Sequence, residues 1–477
     1  MEADTTGAVN TPAVHLKRAL RVWDLTFLCV VAILNLNIVP VIAANGPVTL
    51  WLWIAALLLF FLPQGIAVIE LSHHLPQEGG IYVWTKEAFG DLHGFLCGWC
   101  YWTNNMFYIP TLLFYLVGIV TYTLGRYAPG LSENPVFFFC LAVGLLWVTA
   151  LANIRGLGVG KWVNNAGGIG AIVTAVLLIT LAVFIVSRYG ITVPASSFGI
   201  EKFDWKIVSS FGVICFGLVG LELGSVMGDE IHDPKQSIPR GVLLGGIISG
   251  VLYIGATMAL LLAIPQHDVS VVQGILQAID NMTGHVGAGW VLVPVAFLLS
   301  VAMAGATSAW LSGSARILFV SGIDRYLPQI FGRVHPKYGT PHIAIIGFVA
   351  FSSALIAMSF VGKTTVKEAY VTLLDLAVVL QMISYLYLYA ALARIAFSKS
   401  VARVCGTGWT RFAAIGGLIS TSIGLVVAFV PSRQVDSVWQ FELKMFLTCA
   451  VFLGLAVALF IYYSRRQTHA PVIAAEV

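Results

Sequence analysis

Long runs of apolar residues dominate the chain. Six lie near 23–44, 49–71, 92–124, 136–153, 164–186 and 205–228, and six more near 241–264, 287–319, 341–361, 368–395, 412–430 and 443–463. A helix needs about 20 apolar residues to cross the hydrocarbon core of a bilayer. Membrane-spanning strands alternate apolar and polar residues, and these runs do not. The pattern predicts an all-α polytopic membrane protein of about twelve transmembrane helices.

Composition agrees with a lipid environment. Hydrophobic residues make up 58% of the 477 positions and charged residues 10%, and the mean hydropathy is +0.90. Soluble domains carry roughly 25% charged residues. The seven cysteines form no paired ligand motif. We therefore expect the lipid bilayer as the main partner of the surface, and neither a metal, a cofactor nor a nucleic acid.

The positions of the lysines and arginines predict the orientation. With both termini on one side, 18 of the 26 basic residues fall on that side. Cytoplasmic loops carry the excess of basic residues. We expect both termini in the cytoplasm, with a cytoplasmic tail at 1–21 and another at 465–477.

Two of the runs carry features that interrupt a helix. The first contains Asn35 and Asn37 just before Pro40. The sixth contains Gly217, Gly220 and Gly224 around Glu222, a carboxylate that costs about 2.5–3.5 kcal/mol at the centre of an inserting helix. The alternatives are a simple proline kink and a structural carboxylate bonded to a neighbouring helix.

The two interrupted helices stand five apart. Inverted five-helix repeats place discontinuous helices at matching positions, where they hold a ligand near the bilayer midplane. The pattern therefore favours a ligand site between helices 1 and 6.

Three sequence blocks carry a resemblance to a known family. They are residues 76–84 (PQEGGIYVW) continuing to 88–90 (AFG), residues 220–222 (GLE) continuing to 229–234 (DEIHDP) and 238–240 (IPR), and residues 324–328 (DRYLP) with HP at 335–336 and TP at 340–341. The chain resembles the amino acid–polyamine–organocation (APC) superfamily of permeases over nearly its whole length. Residues 84–90 are most similar to the bacterial glutamate/GABA-antiporter and polyamine-porter branches.

The resemblance implies a LeuT-like fold of two inverted five-helix repeats plus two peripheral helices. The ten-helix core would occupy 22–395, with repeats at 22–190 and 200–395, and the peripheral helices 396–464. The implied function is secondary transport of an amino acid or amine, by exchange or with protons, in the bacterial cytoplasmic (inner) membrane. Some relatives are dimers, which leaves a homodimer open.

Site residues follow where this chain matches the family. The usual Gly-Ser-Gly-Ile-Phe of helix 1 is replaced here by residues 35–39 (NLNIV), which puts the family's carboxylate contact in doubt and favours an amine. Helix 5 lacks the lysine that some members use for coupling, so protonation of Glu222 or another buried acid is the alternative to plain exchange. The implied substrate-binding residues are Asn35, Asn37, Ile38, Val39, Phe216, Gly217, Gly220 and Trp310. Packing or a membrane-interface role is the competing interpretation for Phe216 and Trp310.

Two further groups are predicted, with the role of Glu222 implied by the resemblance and the other members taken from their placement. Glu222 and Asp375 are candidates for a gating or proton-linked role, although structural pairing would also explain Asp375. A cytoplasmic charge network is expected from Asp229, Glu230, Arg240, Arg316 and Arg325.

Other function classes fit less well. A membrane-embedded transferase needs a cluster of His, Asp or metal ligands that the sequence does not offer, so we expect no enzyme. A channel would need a selectivity motif that is not evident. A polyamine transporter and a transporter-like receptor without net transport stay open as alternatives, because they would use the same kind of site.

Overall fold

A computed structural model describes residues 18–125, 128, 130–131, 134–189, 199, 205–208, 210–324, 326–360, 365–430 and 438–468. The regular structure of these residues is helical, and one isolated bridge joins Leu20 to Ile231. Eleven stretches of the described chain are long and apolar enough to cross a membrane. The prediction of an all-α polytopic membrane protein is therefore confirmed.

The helices before residue 190 cover the first five predicted runs and add α5, a short helix between two of them. Their bounds are α1 Val22–Ile33, α2 Ile38–Ala43, α3 Thr49–Ala56, α4 Leu62–His74, α5 Ile81–Phe89, α6 Asp91–Leu124, α7 Pro135–Ile154 and α8 Leu157–Tyr189. A π-helical turn, Leu57–Phe61, joins α3 to α4. The run near 92–124 is one continuous helix in spite of Pro110.

The helices after residue 204 cover the other seven runs and again add a short helix, α13. Their bounds are α9 Trp205–Val208, α10 Ser210–Gly217, α11 Leu223–Val226, α12 Pro234–Ala263, α13 Gly274–His285, α14 Leu292–Ile323, α15 His342–Ser359, α16 Val366–Phe397, α17 Thr407–Val427 and α18 Val438–Thr468.

The sixth predicted run is the one that gives no membrane-length span among the described residues. It is divided into α9, α10 and α11, none longer than eight residues. This accounts for eleven spans by length where twelve runs were predicted. Because glycine loses more backbone entropy than any other residue when it is fixed in a helix, the three glycines after residue 216 favour a break there.

The first interrupted helix lies at the centre of the molecule and the last helix at its edge. Buried positions make up 94% of the apolar window of α1 and α2, against 17% of that of α18. The glycines of α12 allow it to pack closely on α1, since a Cβ at Gly245 would lie 2.5 Å from the Cβ of Cys29. The two interrupted helices also touch, α2 against α10 and α1 against α11.

Candidate functional site

The first interruption spans residues 34–37, between α1 and α2. Its open carbonyl groups accept hydrogen bonds from side chains of other helices, which is how a buried break is stabilised. The Tyr253 hydroxyl donates to the Ile33 carbonyl at 2.5 Å and accepts from the Asn35 N–H at 3.0 Å. The other donors are Trp310 Nε1, to the Ala32 carbonyl at 3.2 Å, and the Tyr370 hydroxyl, to the Asn37 carbonyl at 3.1 Å.

The two asparagines of this interruption are both buried, and the side-chain oxygen of each is free to accept a hydrogen bond. The Asn35 amide nitrogen donates to the Ala32 carbonyl, and the Asn37 amide nitrogen donates to the Tyr370 hydroxyl at 3.2 Å. The Oδ1 atoms of Asn35 and Asn37 have no hydrogen-bond partner among the described residues. A buried polar atom is normally hydrogen-bonded. These two acceptors can therefore receive donors from a bound molecule.

The second interruption spans residues 218–222, between α10 and α11, and needs glycine for two reasons. Gly220 has a φ of 137°, a conformation that other residues rarely adopt. A Cβ at this position would also lie 3.0 Å from the Cβ of Ala32 and 3.1 Å from a side-chain carbon of Ile33. Gly220 thus brings the second interruption against the end of α1, next to the first.

Glu222 lies at the end of this break and is fully buried. Its Oε1 accepts from the Tyr101 hydroxyl at 3.0 Å. Its Oε2 accepts from the Gln64 amide at 3.0 Å, from the Gly220 N–H at 3.1 Å and from the Tyr385 hydroxyl. The side-chain donors come from α4, α6 and α16, and all four donors are uncharged. No basic side chain of the described chain forms an ion pair with Glu222.

Aromatic rings pack against one another beside the two interruptions. Tyr108 meets Phe216 edge-on, with ring centroids 4.8 Å apart, and Trp310 edge-on at 6.1 Å. Trp310 also lies 6.3 Å from the ring of Tyr101. Aromatic faces attract cations, by about 2 kcal/mol or more when the pair is desolvated. A carboxylate, two free amide oxygens and aromatic rings form a surface suited to an ammonium group.

The structure brings most of the predicted binding residues to this one place. Asn35, Asn37, Phe216, Gly220 and Trp310 meet through the contacts described above. The predicted Ile38, Val39 and Gly217 are buried beside them, and a Cβ at Gly217 would lie 3.2 Å from Ile38.

Asp375 is placed elsewhere. It lies on α16 ten residues before Tyr385, roughly 15 Å along the helix. It lines a separate small cavity with Asn45 and Ser210. Its position therefore does not link it to Glu222.

Sequence reasoning missed the side chains that complete the site. They are Gln64, Tyr101, Tyr108, Tyr253, Tyr370 and, as a bonding partner of Glu222, Tyr385. The spacing of Tyr101 and Tyr108, seven residues apart on α6, places both on one helix face. That spacing is the one signal that could have identified part of this set.

A second buried cluster lies at the end of the molecule where α1 begins. The Arg316 Nη2 atom donates to both carboxylate oxygens of Glu230, at 2.8 and 2.7 Å. Its Nε lies 3.5 Å from Oε1 of Glu78, whose Oε2 accepts from the Asp229 N–H at 3.2 Å. The backbone N–H groups of residues 19 and 20 donate to the Glu230 carbonyl. This cluster ties the loop before α5, the loop before α12 and the start of the described chain to α14.

Only some members of the predicted charge network meet in this cluster. Arg316 and Glu230 are paired, and the Asp229 backbone joins them through Glu78. Arg240 is exposed on α12, and Arg325 lies outside the described residues. Burial, and next the Glu230 carboxylate, raise the pKa of Glu78 well above its usual range, against the opposing effect of Arg316.

A neighbouring ion pair lies at the surface of the same end. Lys86 Nζ is 2.8 Å from Asp324 and 3.6 Å from Asp91. Burial acts to lower the pKa of Lys86, but the hydrogen bond and charge of Asp324 outweigh it, and the pKa is raised. Tyr82 donates to the same Asp324 oxygen at 2.6 Å.

The sequence of this chain is similar to those of known transporters. The family model described as "Amino acid permease" matches residues 20–456. An uncharacterised transporter of Legionella pneumophila is 28% identical, over 95% of this chain and 98% of its own. A probable agmatine/putrescine antiporter of Lactococcus lactis is 25% identical over 77% of each chain. A glutamate/gamma-aminobutyrate antiporter of the same species is 23% identical, over 85% of this chain and 82% of its own.

Proposed function

Because the chain belongs to the amino acid permease family, we propose that it moves its substrate as a secondary transporter working by alternating access. The family and these relatives are transporters, so the resemblance to APC permeases is confirmed and the chain is a transporter of amino acids or amines rather than an enzyme. The mechanism, the substrate and the orientation are the proposal.

The observation that carries the proposal is the meeting of two interrupted helices around Glu222. Discontinuous helices expose backbone groups to a ligand without breaking the outer wall of the bundle. Here the interruptions face each other, and the two free amide oxygens and the aromatic rings lie beside them. The placement at matching positions, helices 1 and 6, supports the division into repeats 22–190 and 200–395 with peripheral helices at 396–464.

We propose that the substrate carries an ammonium group that binds near Asn35, Asn37 and Glu222. The free acceptors at this site need donors, and the name of one relative, a probable agmatine/putrescine antiporter, includes two amines. An amino acid also carries an ammonium group, in keeping with the name of the other antiporter. Phe216 and Trp310 would flank that group, with Ile38, Val39, Gly217 and Gly220 shaping the space around it.

Glu222 is the proposed proton-linked group. Its carboxylate is buried, and its partners are two phenols, an amide and a backbone N–H. A gain or loss of a proton here changes which of these groups donate and which accept, and so changes the bonds among α4, α6 and α16. That rearrangement would couple the protonation of Glu222 to the opening of the site.

The Arg316 cluster is the proposed closure on the other side. Its ion pairs join two loops and the residues before α1 to α14, so a passage opening at that end must separate them. The basic residues indicate that both termini lie on the cytoplasmic side of the bacterial inner membrane. This closure would then face the cytoplasm.

Counterflow in proteoliposomes tests the proposal. Vesicles are preloaded with putrescine, agmatine, glutamate, gamma-aminobutyrate or leucine, and accumulation of the same labelled compound is measured. We expect accumulation with at least one compound that carries an ammonium group. Absence of accumulation with every compound, from protein shown to be folded, would contradict transport of this class.

A matched pair of variants tests the site itself. Phe216→Ala removes a ring that meets Tyr108, whereas Phe297→Ala removes a ring of α14 that is 68% exposed. We expect the first to weaken apparent affinity about tenfold or more, since aromatic contacts with a desolvated cation contribute about 2 kcal/mol. The second should leave affinity unchanged. Equal effects would show that Phe216 is not at the binding site.

A further inference from the structure

A small cavity with three polar side chains in its lining lies at the end of the bundle away from the Arg316 cluster. It has a volume of about 20 Å³. A cavity needs about 10–15 Å³ to hold one water molecule, so this space accepts one occupant of that size and excludes an amino acid. Its polar lining consists of Asn45, just after α2, Ser210 at the start of α10, and Asp375 in the first third of α16.

Two oxygen atoms of this lining are buried without a hydrogen bond. They are Oγ of Ser210, a residue only 3% exposed, and Oδ2 of Asp375. Neither atom has a partner within the described part of the chain. The amide nitrogen of Asn45 donates to the Val41 carbonyl at 3.1 Å, which leaves its oxygen on the other side of the amide group.

Asp375 also has no ion-pair partner among the described residues. No basic residue of the described chain forms an ion pair with it, and the remainder of the cavity is apolar. A carboxylate within a membrane-spanning helix is costly unless it is paired or faces water. Among the described residues, the site therefore has no cation to balance Asp375, and it has room for one small occupant.

We propose that Asp375, Ser210 and Asn45 bind a single alkali cation. Carboxylate, hydroxyl and amide oxygens are hard ligands and suit hard cations. One carboxylate balances one positive charge, whereas Ca²⁺ or Mg²⁺ would leave an excess charge in an apolar cavity. Sodium and potassium share this chemistry, and the experiment separates them.

The position of the site gives the cation a structural consequence, which rests on the proposed transport function. Asn45 and Ser210 belong to the outer halves of the two interrupted helices, and Asp375 to α16. A cation bound to all three links these halves to α16. Occupancy would therefore favour the arrangement in which this end of the bundle is closed.

Direct binding to the purified, full-length protein without substrate tests the site independently of transport. The probes are radioactive sodium and, for potassium, radioactive rubidium, measured at constant ionic strength with choline chloride. We expect saturable binding of one cation per chain. The affinity should fall at least roughly tenfold, the loss of about 1.4 kcal/mol, in Asp375→Asn, and less in Ser210→Ala. No saturable binding of either probe would overturn the proposal and leave water or a proton on Asp375 as the occupant.

Glu368→Gln is the matched control. Glu368 is a carboxylate on the same helix, 55% exposed and 3.7 Å from Lys444. The Glu368→Gln protein should bind the cation with the same affinity as the unaltered protein. If Asp375→Asn does not fold, Ser210→Ala and Asn45→Ala decide the question, because unchanged affinity in both would exclude this cavity as the site.

Discussion

Glu222 and Glu230 lie eight residues apart in the chain, and both are buried, but their partners differ in kind. Glu230 is held by the guanidinium group of Arg316, with Glu78 nearby. Glu222 is held by phenols, an amide and a backbone N–H. The first arrangement fixes a carboxylate in place beside a counter-charge. The second satisfies the carboxylate without a counter-charge and can rearrange when a proton or a cationic ligand arrives.

This difference distinguishes the proposed closure from the proposed binding site. Breaking a buried ion pair leaves an uncompensated charge, so the Arg316 cluster resists opening until its parts separate together. Two of the donors around Glu222 are tyrosine hydroxyls, which can also accept hydrogen bonds, and the Gln64 side chain carries an amide oxygen that accepts. They therefore have alternative partners, and a change of ligand can be accommodated without a stranded charge.

The largest expected effect concerns the Arg316 cluster. Arg316→Ala leaves Glu230 and Glu78 buried without their cation, which costs about 3–5 kcal/mol. We expect a large decrease in the thermal unfolding midpoint of the purified protein in detergent. Arg240→Ala, at an exposed arginine, should change stability by less than about 0.5 kcal/mol.

A double variant sharpens this prediction. Arg316→Met combined with Glu230→Gln removes one charge of each sign and should unfold at a higher temperature than Arg316→Ala alone. Equal unfolding midpoints for the single and double variants would show that the ion pairs do not stabilise this end of the molecule. An equally large decrease in Arg240→Ala would show the same.

The second effect concerns Glu222. Glu222→Gln keeps the shape of the side chain but removes the charged acceptor of three side-chain donors, each hydrogen bond to a charged group contributing about 1.5–3 kcal/mol. We expect the initial rate of counterflow to fall about 100-fold, the equivalent of about 2.8 kcal/mol. Glu368→Gln should transport normally. Unchanged transport in Glu222→Gln would make Glu222 a structural carboxylate only.

The third effect separates the donors of Glu222 from one another. Tyr385→Phe and Tyr101→Phe each remove one hydroxyl, and each should slow counterflow about tenfold, the value of one such hydrogen bond. Tyr387→Phe, two residues from Tyr385 on α16 and partly exposed, is the control. If the double variant Tyr101→Phe/Tyr385→Phe is no slower than either single variant, the two hydroxyls act as one unit.

The sequence predicted the interruptions but not what surrounds them. Asn35, Asn37, Gly220 and Glu222 are visible because each is unusual within an apolar run. Tyr101, Gln64 and Tyr385 bond to Glu222 across 121, 158 and 163 residues, and nothing local shows which way their helices are rotated. Arg316 and Glu230 were grouped in one predicted network because both were expected near the same membrane face. That placement did not show that Glu78 joins them or that Arg240 is exposed.

The long spans could be predicted because they depend on length and hydrophobicity alone. Short elements could not, since α5 and α13 are amphipathic helices of nine and twelve residues between longer ones. Asp375 was predicted, like Glu222, to have a gating or proton-linked role, and that role stays a prediction. The sequence did not show that the two carboxylates lie in different places, with Asp375 lining a separate cavity.

The smallest expected effect tests the excess charge of the Arg316 cluster. Two carboxylates face one arginine, and burial raises the pKa of Glu78. The folded protein therefore keeps the proton on Glu78 to a higher pH than the unfolded chain, whose glutamate pKa is about 4.3. Since the folded state binds more protons over that interval, its stability should fall as pH rises through it.

Glu78→Gln removes this titration while keeping the shape of the side chain. We expect the thermal unfolding midpoint of the unaltered protein to decrease between about pH 4.3 and the raised pKa of Glu78, and that of Glu78→Gln to decrease less. The Glu222 site takes no part in this change, because its partners are the same in both proteins. Parallel curves for the two proteins would mean that Glu78 stays ionised beside Arg316, and the cluster would then hold both carboxylates with a single cation.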